Sequence, residues 1–211
     1  MGLIVQPTLE AGDLLLCVGA TLHGTRVWRG QGPQKLFTCT VVAEEVRRPV
    51  AAAVAAAPWM AELTPAQQAV LGVDTQSVTR HHPSIYRRDP DREIDSDEFF
   101  FWDLNGYLVL RGVMGGAWIA AASAAIDANA DRITTGHKPP DNTARLDGTP
   151  LSSLRDLFEL PAPHADPFRR MIDHPAVMQR LNWMLGGGFT LGHVRAMCYD
   201  PGSCGLFMHG G

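Results

Sequence analysis

The chain has 211 residues, of which 45% are hydrophobic and 19% charged, and its formal net charge is −4. That length carries one domain or two small ones with an ordinary hydrophobic core, and the acidic balance gives no basic surface for nucleic acid or a membrane. No apolar segment reaches membrane-spanning length and Leu3-Ile4-Val5, ended by Pro7, is too short for a leader, so the expected location is cytoplasmic. The four cysteines (Cys17, Cys39, Cys198, Cys204) lack the spacing of a zinc site. Cys17 and Cys39 fall in predicted strands and read as small core residues.

In chain order, Leu14 to Val18 is a short apolar run that predicts a strand buried on both faces. An extended segment with His23 follows. Gly30, Gly32 and Pro33 break the pattern, and Lys35 to Val42, rich in β-branched and aromatic residues, predicts a third strand. Val50 to Ala57 is Ala-rich and reads as a short helix before Pro58. Thr64, with Pro65 next and Gln67 at the capping-box position, opens a helix closed by Gly72. Residues 81–97, with two prolines and dense mixed charge, read as a linker or exposed loop. His81-His82 lies there without a third ligand nearby and reads as loop.

The pattern then restarts. Ser96 or Asp97 can cap a short helix over Phe99 to Leu104, Asn105-Gly106 makes a turn, and Tyr107 to Leu110 is a strand. Ala117 to Ile133 predicts a long helix with Trp118, Ile119, Ala122 and Ile126 on one stripe. Leu151 to Leu160 reads as weakly helical. Asp166-Pro167 opens a further helix with Phe168, Met171 and Ile172 on its apolar side. Asp173-His174-Pro175 starts another, ended by Gly186-Gly187-Gly188, with His174 as a helix-start residue. Phe189 to Tyr199 and Leu206 to Met208 are the last strands, joined by a turn.

On its own, His23 is one imidazole in a strand, and such residues are as a rule packed or half-exposed rather than ligands. Gly12-Asp13 before an apolar strand, then Leu22-His23-Gly24 and a basic residue about a dozen positions on, resembles the distal half of the phytanoyl-CoA dioxygenase family. Phe99 to Leu104, Gly106-Tyr107-Leu108-Val109-Leu110-Arg111-Gly112-Val113, the long helix and DHPAVMQRLNWMLGGGF resemble that family's front half. The resemblance implies an α+β protein, a partial double-stranded β-helix of the jelly-roll or cupin-like kind with flanking helices. It divides the chain into 1–80, a distal half; 81–97, a linker; and 98–211, a front half. The halves stand in reversed order. A junction between neighbouring oxygenase units or a circular permutation would give that order.

The family's chemistry is Fe(II)- and 2-oxoglutarate-dependent oxidation, so the resemblance implies both as cofactors. It assigns His23 and His209 as metal ligands and Lys35 or Arg26 as the cation on 2-oxoglutarate. Ligands of one ion must bring their nitrogens to within about 3 Å or slightly more of each other, so the two histidines are expected to face one another across a sheet sandwich. The family's carboxylate ligand follows the first histidine by two residues, and Gly211 holds that position. Asp200, Asp13 and Asp103 are the nearest carboxylates and none has the spacing. A distant carboxylate, a degenerate site, or a halogenase-like site with chloride in the vacancy all fit. The expected activity is hydroxylation of a C–H bond in a small-molecule or acyl substrate, with a neighbouring oxygenase unit as a partner. The competing reading is a catalytically inactive binding or scaffold module of the same fold. Trp28, Phe37, Trp183 and Phe207 can line a pocket or fill the core.

Overall fold

The computed structural model describes residues 4–43, 52–73, 95–136, 151–185 and 189–210. The first strands are β1 (Leu14–Cys17), β2 (His23–Thr25) and β3 (Gln34–Ala43), followed by α1 (Ala52–Ala55) and α2 (Pro65–Val70). Next come α3 (Ser96–Asn105), β4 (Tyr107–Leu110), α4 (Gly116–Ala128), β5 (Thr134–Thr135) and β6 (Ser152–Leu154). The last described elements are α5 (Asp166–Arg169), α6 (Pro175–Leu185), β7 (Phe189–Tyr199) and β8 (Leu206–His209). This is a mixed α+β fold with antiparallel sheets. No described helix is long and apolar enough to cross a membrane. The loop with His81-His82, like most of the linker reading, lies outside the described residues.

Every strand of the first segment pairs with one from the last two thirds of the chain. β1 pairs with β4, β2 with β8, and β3 is the edge of a four-stranded sheet ordered β3-β7-β6-β5. Leu14 and Leu16 alternate into a cluster with Leu108, Leu110 and Trp183, while Phe99 and Trp102 pack on it from α3. A clamp at Asp13 fixes that pairing. Its carboxylate accepts from the N–H groups of Glu10 and Gly112, each at 2.9 Å, and from the Arg111 guanidinium at 2.5 Å.

The main core lies on one face of the four-stranded sheet. Ala196 and Leu154 project from β7 and β6 into a cluster with Ala125 and Ile126 of α4, Leu157, Phe158, Phe168 and Ile172. Phe37 stacks on Phe168 at 5.9 Å and so belongs to this core. The opposite face of the sheet carries Met197 and Tyr199, packed with Leu151, Trp28 and Cys204.

Local chemistry accounts for several boundaries. Thr64 and Gln67 form the reciprocal capping box, with Gly72 in a left-handed conformation just past the end. Asp95, not Ser96 or Asp97, caps α3, because its carboxylate accepts from both Asp97 N–H and Glu98 N–H. α4 stops at Ala128 rather than Ile133: Asn129 leaves helical geometry and folds its side-chain amide back to the Ala125 carbonyl. Leu151 to Leu160 is not helical. It holds β6, whose pairing with β7 outweighs a weak local preference, and then a short 3-10 turn opened by Asp156 at φ 54°. Cys17 and Cys39 are exposed rather than core. β1 is buried on one face, not on both: Leu15 and Cys17 alternate away from the face that packs Leu14 and Leu16, and Cys39 sits on an edge strand beside a register shift.

Candidate functional site

β2 spans only His23–Thr25, and its pairing with β8 is irregular. His23 is the cross-strand partner of His209, whereas Thr25 is the partner of Leu206. Three residues of β2 thus span four of β8, so Phe207 and Met208 stand opposite Gly24 in a bulge. Directly opposed positions of an antiparallel pair hold their Cβ atoms about 4.5–5.5 Å apart. The two histidine positions therefore come together, but as neighbours on one ladder rather than across a sandwich. Reach across a single ladder is short, so no second sheet is needed to bring the two positions close.

The imidazole of His23 has a defined orientation. Its Nδ1 lies 2.7 Å from the carbonyl oxygen of Thr21. A carbonyl oxygen only accepts, so Nδ1 carries the proton and Nε2 is the basic nitrogen of the ring. An Nδ1–H held by a backbone carbonyl is a usual support for a histidine that binds metal through its other nitrogen. The turn before β2 is tight: a Cβ on Gly210 would lie 3.1 Å from Ala20 O and 3.2 Å from Thr21 O.

The two cations occupy different places. Arg26 follows β2 directly, is exposed, and donates from Nη1 to Gln6 Oε1 at 3.3 Å. Lys35 lies on the other side of the large sheet from β2. It pairs in register with Cys198, which packs toward the main core, whereas the adjacent Tyr199 faces the opposite way and hydrogen-bonds Thr25 of β2. The Lys35 ammonium donates to Ser123 O at 3.1 Å and to Ser123 Oγ at 2.7 Å, and contacts Asp127 Oδ1 at 2.6 Å. Those three contacts use all the donors of an ammonium.

The donor set fits a metal in part. The paired histidine positions and the Thr21-held ring suit two ligands of one ion. Among the described residues, no three His, Cys, Asp or Glu side chains are grouped as a metal would require. Of the acids nearest in context, Asp13 is committed to the β1–β4 clamp. Trp183 is 8% exposed inside the β1–β4 cluster, and Phe37 and Trp28 are packed as well, so these three fill cores rather than line the ladder.

Sequence reading did not single out the carbonyl of Thr21 as the group that orients His23, nor Ser123 and Asp127 as partners of Lys35. The His23–Thr21 contact spans only two residues, so a turn just before a strand histidine was a usable signal. The Lys35–Ser123 contact spans 88 positions and had none.

No protein-family model, curated protein or solved structure matches the chain.

Proposed function

We propose that this chain carries the two-histidine part of an Fe(II)/2-oxoglutarate-dependent dioxygenase-like centre, acting on a C–H bond of a small-molecule or acyl substrate. The observation that carries this reading is the direct pairing of His23 with His209 across one ladder. The Nδ1–H contact to Thr21 supports it, because it presents Nε2 as the basic nitrogen. Two antiparallel ladders beside a four-stranded antiparallel sheet agree with a partial double-stranded β-helix of jelly-roll type. Fe(II) with 2-oxoglutarate would supply the oxidising power for hydroxylation. This chain's own residues would bind and orient: His23 and His209 as ligands, and Arg26 or Lys35 as the cation for the co-substrate. Arg26 is the better placed of the two, since it follows β2 whereas Lys35 is engaged with α4.

A second reading, a catalytically inactive binding or scaffold module of the same fold, is favoured by a specific observation: the described residues supply no carboxylate beside the two histidines. One experiment separates the two. The protein is mixed with Fe(II) and 2-oxoglutarate without oxygen, and the visible charge-transfer absorption of the chelate is recorded for the native chain, His23→Ala and His209→Ala. Absorption that both substitutions abolish supports the metal centre. No absorption in the native chain leaves the scaffold reading. Succinate release on adding oxygen, with and without chloride, then tests for turnover and for a halide in the carboxylate's place.

A further inference from the structure

The large sheet carries three basic side chains that the two-histidine ladder does not use. On β7, Arg195 alternates with Ala196 onto the face away from the main core, and His193 lies two residues before it, at the register irregularity with β3. The antiparallel register of β6 with β7 pairs Leu154 with Ala196. Arg155 follows Leu154 directly, one residue past the end of β6, beside the stretch of β7 that carries Arg195. Desolvation first, and then the charges of Arg195 and Arg155, hold the pKa of the His193 ring below the ordinary imidazole value. Among the described residues no carboxylate contributes to that balance.

Like charges held side by side on a sheet are destabilising, and the cheap remedy is an acidic neighbour. The chain has 22 acidic residues against 18 Lys and Arg. Yet among the described residues neither Arg155 nor Arg195 makes an ion pair, and Asp156, next in sequence, pairs with neither. Arg195 is partly buried and makes no side-chain hydrogen bond among the described residues. Among the described residues, the other half-buried cations are treated differently: Lys35, Arg169 and Arg180 each have a carboxylate.

We propose that Arg155, Arg195 and His193 form a binding site for a phosphate dianion, free or as a phosphomonoester. Two guanidinium forks and an imidazole that can take up a proton present three positive groups to one ligand. A single carboxylate fills one fork, whereas the oxygens of a phosphate reach two forks and a ring N–H together. The site lies on β6 and β7 and stands independently of any metal at the β2–β8 ladder.

The test is the NMR titration of the His193 ring in the full chain. In low-salt buffer its midpoint lies below the usual imidazole range, and Arg155→Gln, at an exposed position, moves it up by removing a like charge. Inorganic phosphate at about 10 mM raises the native midpoint by about 0.5–1 unit over sodium chloride of equal ionic strength, because binding and protonation are linked. Arg155→Gln reduces that shift and Arg195→Gln removes it. Glucose 6-phosphate is run beside inorganic phosphate: the larger shift of the two identifies a bound ester or the free ion. The proposal is overturned if phosphate does no more than chloride, if its effect survives Arg155→Gln undiminished, or if Arg155→Gln leaves the midpoint of the unliganded chain unmoved. A larger effect from 2-oxoglutarate than from either phosphate also overturns it, and assigns the site to a dicarboxylate.

Discussion

Lys35 Nζ on β3 and Asp127 Oδ1 on α4 are 2.6 Å apart, and the same ammonium donates to the backbone carbonyl and hydroxyl of Ser123. The pair ties the edge strand of the large sheet to the helix that covers the core. The lysine side chain is 22% exposed and that of Asp127 69%, so solvent screens the ion pair and the hydrogen bonds to Ser123 carry more of the effect. Lys35→Met is expected to lower unfolding free energy by about 1–2 kcal/mol, and Asp127→Ala by less than about 1 kcal/mol. Urea unfolding of the two variants measures the order. Equal losses would show that the ion pair, not the Ser123 contacts, is the tether.

Asp13 makes acid stability measurable. The N–H groups of Glu10 and Gly112, then the Arg111 guanidinium, lower its carboxyl from 3.8 to about 2. Its side chain is only 5% exposed. Because the folded pKa is the lower one, the stabilisation is complete above the unfolded value and is lost as pH falls from about 4 through 2. Asp13→Asn should therefore be less stable than the native chain at pH 7, and the difference should shrink across that window. Urea midpoints at a series of pH values check it, and a gap that stays constant down to pH 2 would remove Asp13 from the account.

Gly12 and Gly112 both have positive φ, +96° and +60°, but differ in surroundings. A Cβ on Gly12 would run into the carbonyl oxygen of Met114, whereas nothing lies within 4 Å of one on Gly112. Gly112→Ala should cost about 1 kcal/mol, the backbone penalty alone. Gly12→Ala should cost clearly more, since it also pushes apart the loop ends that start β1 and follow β4. Equal unfolding midpoints for the two would mean that the Met114 contact relaxes freely.

Leu154 is 1% exposed at the centre of the main core, and Leu104 on α3 is 72% exposed. Leu154→Ala should lower stability by about 2–5 kcal/mol through lost burial and the cavity left behind. Leu104→Ala should stay within about 0.5 kcal/mol of the native chain. Thermal or urea unfolding compares them directly.

The sequence by itself determined elements whose causes are local. The apolar run of β1, the β-branched run of β3, the Thr64–Gln67 capping box, and the strands Tyr107–Leu110 and Phe189–Tyr199 are all set by side chains a few residues apart. Their boundaries follow from period and capping chemistry. The tertiary structure alone decided which strands meet. Leu154 is drawn into a strand by β7, although its own segment reads as weakly helical, because pairing energy comes from residues some 40 positions away. His23 and His209 are 186 positions apart in the chain and opposite each other in the fold. Lys35, next to a strand histidine in the order of elements, ends up on the other side of the sheet, since alternation along a strand fixes the face but not what packs on it. The three basic groups of β6 and β7 were likewise unremarkable in sequence. Only the pairing of Leu154 with Ala196, a long-range contact, brings the end of β6 and so Arg155 beside this stretch of β7.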